Sequence, residues 1–295
     1  MVQAALPRQG AATALTATLT ALVARTGVPE PVMKAAQHLL SSRMELGGTT
    51  LTGAALKQAV ANSGVFSEAR LAGATTMPAA DGKLALMALR GALGKWLGTS
   101  QHPIAAAAPV PPPVRGTTPR ARGPDPQPVN AVDPAASVEE IGRQALDRSE
   151  AAIARLRLHQ HAGLPDADGR PAPAMTLDLP VVVGTHQALL HLQIRQEAES
   201  REGGSAERGW QMRFAINLPA MGEVGAQVSL RAGNVGVMLW ATEEATAMAL
   251  QAELELLRAG LVAAGLQPGS MLVRHGEPAA APTSSQSPHL LDALR

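Results

Sequence analysis

The stretch WQMRFAINLPAMGEVGAQVSLRAGNVGVMLW, residues 210–240, decides the fold of this chain. From Trp210 to Leu218 every second residue is large and apolar, and the residues between them are Gln, Arg, Ala and Asn. Successive side chains of a β-strand point to opposite faces of a sheet, so this period of two indicates a strand with one buried side.

Neighbouring segments supply partners for this strand. Residues 224–230 and 235–240 are also rich in β-forming residues, and the segment RAGN joins them. We expect Gly233-Asn234 to occupy the positive-φ positions of a tight hairpin there. Upstream, residues 186–196 alternate apolar and polar side chains in the same way. The sequence therefore predicts a small, largely antiparallel sheet.

A helical pattern follows the sheet. Thr242 is the expected N-cap, Glu243 and Glu244 lie where the helix dipole favours acids, and Gly265 is the expected end. One long helix with a leucine face would cover the apolar side of the sheet, and the segment SMLVR after Gly269 is a candidate last strand. The predicted fold class is α+β. The leucine face consists of Leu250, Leu254, Leu257 and Leu261.

Composition divides the rest of the chain. Residues 1–97 show short apolar helical stripes broken by Gly and Pro, and we interpret them as a helical N-terminal module. Residues 98–136 are dense in Pro and are predicted to be a disordered linker. An amphipathic connecting helix is predicted over 137–163, the sheet domain over 175–276, and a disordered tail over 277–295.

The connecting helix begins with a capping box. Ser137 and Glu140 have the spacing at which each side chain binds a free backbone amide of the other residue. One face of the helix is apolar, and the other carries charges that include Arg155. We interpret it as a solvated helix that docks on the sheet domain. A self-associating coiled coil is the alternative, although the apolar seam is short.

Charge and composition exclude several classes of function. The 25 Lys and Arg residues balance 24 Asp and Glu residues to a net charge of +1, without a basic cluster that could follow a phosphate backbone. Nucleic acid is therefore not an expected partner. The chain has no cysteine, which excludes disulfides and thiolate catalysis. Residues 1–30 resemble neither a cleavable signal peptide nor a membrane span, so membrane insertion is not expected.

Catalytic motifs give no support to an enzyme. The sequence contains neither a phosphate-binding P-loop, nor a dinucleotide-binding glycine motif, nor a serine nucleophile elbow. The closest histidine pairs, His159 with His161 and His186 with His191, are interpreted as surface residues and not as metal ligands. We expect no catalytic residue, cofactor or metal. Two tryptophans that begin and end the decisive stretch could stack on a ligand, but a core role is the favoured interpretation.

The run from residue 210 to 276 resembles the C-terminal domain of the flagellar hook-length control proteins, the FliK family. The similarity is carried by an ordered series of short features. It is extended by the segment SGVFSEARLAG, residues 63–73, which is similar to the helical part of shorter members. The features are an aromatic-led strand, Leu218-Pro219, Gly222 and Val224, a strand ending at Leu230, the run LLRAGL at 256–261, and AGL at 264–266.

The resemblance implies a non-enzymatic protein that is exported, without a cleavable signal peptide, through the flagellar type III apparatus. It implies that the C-terminal domain binds the cytoplasmic domain of the FlhB-type export gate and switches export from hook-type to filament-type substrates. Hook or hook-cap subunits would be further contacts. The hydrophobic positions that match are Val224, Val228 and Leu230 on the strand and Leu257 on the helix. These residues are expected either to bind the partner or to form core.

The sequence is also compatible with two other functions. The chain could be a cytoplasmic export chaperone that holds another subunit with its amphipathic helices and is not itself exported. It could also be a small-molecule-binding β domain, which would require a pocket. Secretion of the chain separates the switch protein from the chaperone.

Overall fold

The computed structural model describes residues 5–46, 52–73, 80–98, 127–128, 133, 135–163, 174–196 and 209–276. Most of the predicted linker 98–136 and all of the predicted tail 277–295 lie outside these residues. The helices within the described residues, apart from a 3₁₀ turn at Leu6–Arg8, are α1 (Ala12–Val23), α2 (Glu30–Ser41), α3 (Gly53–Asn62), α4 (Ser67–Ala72), α5 (Gly82–Leu97), α6 (Val138–Ala162), α7 (Glu244–Ala252) and α8 (Leu254–Ala263).

All strands of the described residues join one sheet. Seven of them lie in the order β1-β3-β4-β5-β6-β7-β8, and β2 pairs with β4 beside this path. The pairs β1 with β3 and β7 with β8 are parallel, and the others are antiparallel. The α+β class with a mostly antiparallel sheet is therefore confirmed. The strands are β1 (Met44–Glu45), β2 (Gln127–Pro128), β3 (Ala174–Val183), β4 (His186–Gln196), β5 (Trp210–Leu218), β6 (Gly222–Arg231), β7 (Asn234–Ala241) and β8 (Gln267–His275).

The register gives the sheet one apolar and one polar face. Phe214 pairs with Leu192 on one side and with Ala226 on the other, so the apolar residues of β4, β5 and β6 share a face. At the β3 end this apolar face packs against Leu56 of α3 and neighbouring side chains. The remaining rows place Gln, Arg, His and Asp on the opposite, polar face.

The helix α6 belongs to a helical bundle. Ser137 caps it by accepting a hydrogen bond from the Glu140 amide at 3.2 Å, as the sequence predicts. Its Ile141 and Ala145 are fully buried in a core that α1, α2 and α5 complete. The same helix contacts β3 and hydrogen-bonds to the polar face of the sheet. The connecting helix thus docks on the sheet, as predicted, but it also packs into the helical bundle and is not a solvated helix.

The single long helix predicted after the sheet is not confirmed. The segment forms two helices, α7 and α8, because Glu253 has φ −93° and ψ 3°, outside the helical range. Thr242 is not the cap, since its hydroxyl accepts a hydrogen bond from the Glu223 amide at 3.0 Å, and Glu243 takes the N-cap position. Both helices contact β8 at the far end of the sheet, and α7 also contacts β7.

The hairpin between β6 and β7 differs by one residue from the prediction. Asn234 already pairs with Arg231, so only two residues form the loop. Those residues, Ala232 and Gly233, have φ values of 50° and 80°. The positive-φ positions are therefore Ala232-Gly233, and Asn234 is the first residue of β7.

Candidate functional site

Three of the four predicted partner-binding residues lie on β6. Val224, Val228 and Leu230 are separated by even numbers of residues, so they point to the same apolar face. All three are half-buried. Val228 is flanked by Met212 on β5 and Val237 on β7, which gives the row apolar neighbours on both sides. The row contributes to packing and still keeps part of its surface open.

The fourth predicted residue lies on another element. Leu257 is on α8, and 36% of its surface is exposed. The four predicted residues are therefore divided between a strand and a helix, and that helix packs at the end of the sheet. Whether these residues bind a partner stays a prediction.

The two tryptophans at the ends of the decisive stretch lie on opposite faces of the sheet. Trp210 pairs with Leu230 on the apolar face and is 49% exposed. Trp240 pairs with Gly225 and is buried on the other face. A Cβ atom on Gly225 would lie 2.2 Å from the Trp240 ring, so this glycine leaves the space that the indole fills. A stacking platform of both rings is therefore wrong, and Trp240 is a core residue.

The turn between β5 and β6 is tied to the start of α7. Gly222 has φ 71°, and a Cβ atom there would lie 2.7 Å from the Thr242 hydroxyl. Thr246 donates a hydrogen bond to the Met221 carbonyl at 2.8 Å. These contacts explain why a glycine is required at this turn, and they fix α7 relative to β6.

A buried ionic cluster joins α6 to the polar face of the sheet. Asp178 of β3 contacts three basic side chains. Its Oδ1 lies 2.6 Å from His191 Nδ1, its Oδ2 lies 2.9 Å from His159 Nε2, and Arg155 Nε donates to the same Oδ2. Arg155 Nη1 also donates to Gln9 at 2.9 Å. The cluster therefore links the N-terminal segment, α6 and two strands.

The pKa of Asp178 is determined by its burial and by these three basic side chains. Burial alone raises the pKa of the carboxyl group, because a charge is costly in a low-dielectric interior. The charges of His159, His191 and Arg155, together with a hydrogen bond from His159, outweigh burial and hold the pKa well below its usual value. Asp178 is thus ionised in the folded protein near neutral pH.

The C-terminal end of the chain is the part that a known family matches. An antiparallel β5-β6-β7 meander is followed by the helix pair and by β8 in parallel with β7. Residues 198–282 match the family model of the flagellar hook-length control protein FliK. Within this chain, residues 198–282 are therefore the hook-length control domain. Comparisons with curated proteins and with solved structures give no match.

The hook-length control domain contains the predicted partner-binding residues but not the Asp178 cluster. The match spans β5 to β8 with α7 and α8, whereas Asp178, Arg155 and both histidines precede it. A cavity of about 520 Å³ also lies outside the domain, between the helices and β3, and Arg155 and Asp178 line it. These charged groups bind one another, so they act as structural contacts at its wall. Within the described residues, no helix combines the length and the apolar character that a membrane crossing requires.

The sequence prediction is wrong for three members of the cluster. It places Arg155 on a solvated helix face and His159 and His191 at the surface, but all three are buried. The signal that could have found them is Asp178, an acid in the β-rich segment TLDLPVVV. An acid inside a buried strand requires basic partners, and a helix with Arg155 and His159 one turn apart supplies them.

Proposed function

We propose that this chain switches the flagellar type III export apparatus from hook-type to filament-type substrates through its hook-length control domain. The observation that supports this most is the family match over residues 198–282. It covers a connected unit of four strands and two helices, and contacts at the β5–β6 turn fix that unit internally.

The proposed partner is the cytoplasmic domain of the FlhB-type export gate. Contact would be made by the β6 row of Val224, Val228 and Leu230 and by Leu257. Their half-buried or exposed apolar surface supports this, because apolar side chains left open on a rigid element are typical of protein-binding sites. Hook or hook-cap subunits are proposed as additional contacts of the exported protein.

The proposed mechanism is binding without catalysis. The ionisable groups with the most distinctive surroundings are Asp178 and its three basic partners, and these fix α6 to the sheet in the interior. The domain itself offers apolar surface and a rigid sheet. Both are properties that a docking protein needs.

Deletion of residues 210–266 tests the switch. In a flagellated strain whose only copy carries this deletion, we expect overlong hooks without filaments, because the gate would not receive the signal to change substrates. Hook lengths are measured by electron microscopy on purified hook-basal bodies, and an immunoblot verifies that the shortened protein is made. Filaments of normal number on hooks of normal length would contradict the proposal.

Export of the chain itself is tested separately. We expect the full chain in the culture medium of strains that assemble hook-basal bodies, and only in the cells of strains that lack the export gate. Retention of the chain in the cells of both strains would favour the cytoplasmic chaperone instead.

A further inference from the structure

The helix α8 is apolar around most of its circumference. Its sequence LELLRAGLVA contains only two charged residues, Glu255 and Arg258. The side that packs toward the sheet carries Leu254 and Leu261, which are half-buried. Helices that are hydrophobic on all sides are normally covered on all sides. The described residues nevertheless leave every residue of α8 at least partly exposed.

The outer face of α8 is defined here by Leu256, Ala259, Gly260 and Ala263. These positions follow the i, i+3, i+4, i+7 spacing of one helical stripe, and Leu256 is two residues from Leu254, so the stripe points away from the sheet. All four are exposed, and Leu256 is exposed to 71%. Leu256 is therefore the one large side chain of this stripe, and two further apolar side chains of α8, Leu257 and Val262, are exposed to 36% and 58% beside it.

The charges of α7 and α8 indicate what can cover this face. The segment from Glu243 to Ala264 contains four glutamates and one arginine, a net charge of −3, and the arginine, Arg258, lies 3.5 Å from Glu255. Every one of the glutamates is exposed. A second copy of the chain would bring like charges together, which opposes association, whereas a positively charged partner would be attracted. Glu253 and Glu255 lie next to Leu256 at the start of α8, and Glu243 and Glu244 lie at the start of α7.

We propose that the outer face of α8 binds a basic amphipathic segment of a partner protein. Leu256 packs against the apolar side of that segment, and Glu253 and Glu255 face its lysines and arginines. The inference rests on the proposed function in one respect, since the partner tested is the cytoplasmic domain of the export gate. It adds a further contact face, on α8, and the charge of the partner surface that binds there.

The test is a calorimetric titration of the full chain with the purified cytoplasmic domain of the export gate. Leu256→Glu is expected to weaken binding by at least about tenfold, because it places a charge where the central apolar contact forms. Leu71→Glu is the matched control, since Leu71 is exposed to 62% on α4, and it should bind like the unchanged chain. Thermal unfolding of both variants verifies that they fold.

A second pair of variants tests the charge. Glu253→Gln with Glu255→Gln should weaken binding and reduce its dependence on salt concentration, since fewer charges are then paired across the interface. The matched control is Glu139→Gln with Glu140→Gln, two exposed glutamates in the first turn of α6. This control should change neither the affinity nor the salt dependence.

The outcomes separate this inference from the proposed function. Equal binding of the unchanged chain and Leu256→Glu would overturn the inference and leave the switch intact. The same holds if the unchanged chain does not bind the gate domain although the 210–266 deletion abolishes filaments: the inference is then overturned and the switch is left intact. Failure to bind combined with normal filaments in the deletion strain would overturn both. A dimer in light scattering that Leu256→Glu dissociates would show that a second copy covers the face, which also overturns the inference.

Discussion

Replacing Asp178 with Asn removes a buried acid that three basic side chains share. The carboxylate contacts Arg155, His159 and His191, and the side chain of Asp178 is only 8% exposed. Asn keeps the size of the side chain and removes the charge. Since the basic groups come from α6 and β4, the substitution weakens the contact between the helical bundle and the polar face of the sheet.

The expected loss of stability is large. Breaking a buried ion pair by removing one partner costs about 3–5 kcal/mol, because the remaining charge is left in a poorly solvating interior. A folded protein is stable by only about 5–15 kcal/mol, so this is a substantial share. The control is Glu30→Gln, which breaks the exposed pair with Lys34 and should cost less than about 1 kcal/mol.

The effect should depend on pH in a defined direction. The pKa of Asp178 is lower in the folded state than in the unfolded chain, where an aspartate has a pKa of about 3.9. The stabilisation by its charge is therefore fully present above about pH 4 and is lost as the pH falls toward the folded-state pKa. The difference in unfolding free energy between the unchanged chain and Asp178→Asn should shrink below about pH 4.

Urea denaturation followed by circular dichroism measures these free energies at pH 7 and at pH 3. The reasoning predicts a difference of about 3–5 kcal/mol at pH 7 and a clearly smaller one at pH 3. A difference below about 1 kcal/mol at pH 7, in the range of an exposed pair, would refute it. So would a difference that grows as the solution is acidified.

Two glycine substitutions test close approaches in the two cores. Gly225→Ala should destabilise the hook-length control domain by about 1–3 kcal/mol, because the new methyl group would meet the Trp240 ring, and the shift in Trp fluorescence on urea unfolding measures it. Gly142→Ala should destabilise the helical bundle despite the better helix propensity of Ala, since its Cβ would lie 2.5 Å from the Trp96 ring. The control is Gly91→Ala on α5, which has open space around it and should be neutral or stabilising. Thermal unfolding measures both. A stabilised Gly225→Ala, or equal effects of Gly142→Ala and Gly91→Ala, would contradict these contacts.

Periodicity predicts the central strands well, because one side of each strand is buried. The alternation from Trp210 to Leu218 corresponds to β5 from end to end, and the upstream alternation over 186–196 corresponds to β4. The candidate last strand after Gly269 is part of β8, which begins two residues earlier, at Gln267. The local sequence pattern is sufficient to predict these strands, because the alternation within each strand shows which of its side chains point to the buried face.

Features that depend on contacts between distant residues could not be predicted from the local sequence pattern. The bend at Glu253 interrupts a stretch whose leucine spacing is continuous, so the pattern gave no sign of two helices. The pairing of β1 with β3 joins residues more than 130 positions apart. Of the candidate site, the shared face of Val224, Val228 and Leu230 follows from their spacing. The exposure of Leu256 does not, because it depends on which side of α8 meets the sheet.

Hydrogen–deuterium exchange of the full chain, with and without the cytoplasmic domain of the export gate, tests most directly whether the hook-length control domain is the part that binds. The account predicts slower exchange on binding in β6 and α8, and unchanged exchange in α1, α2 and α5. Slower exchange confined to the N-terminal helices would contradict it.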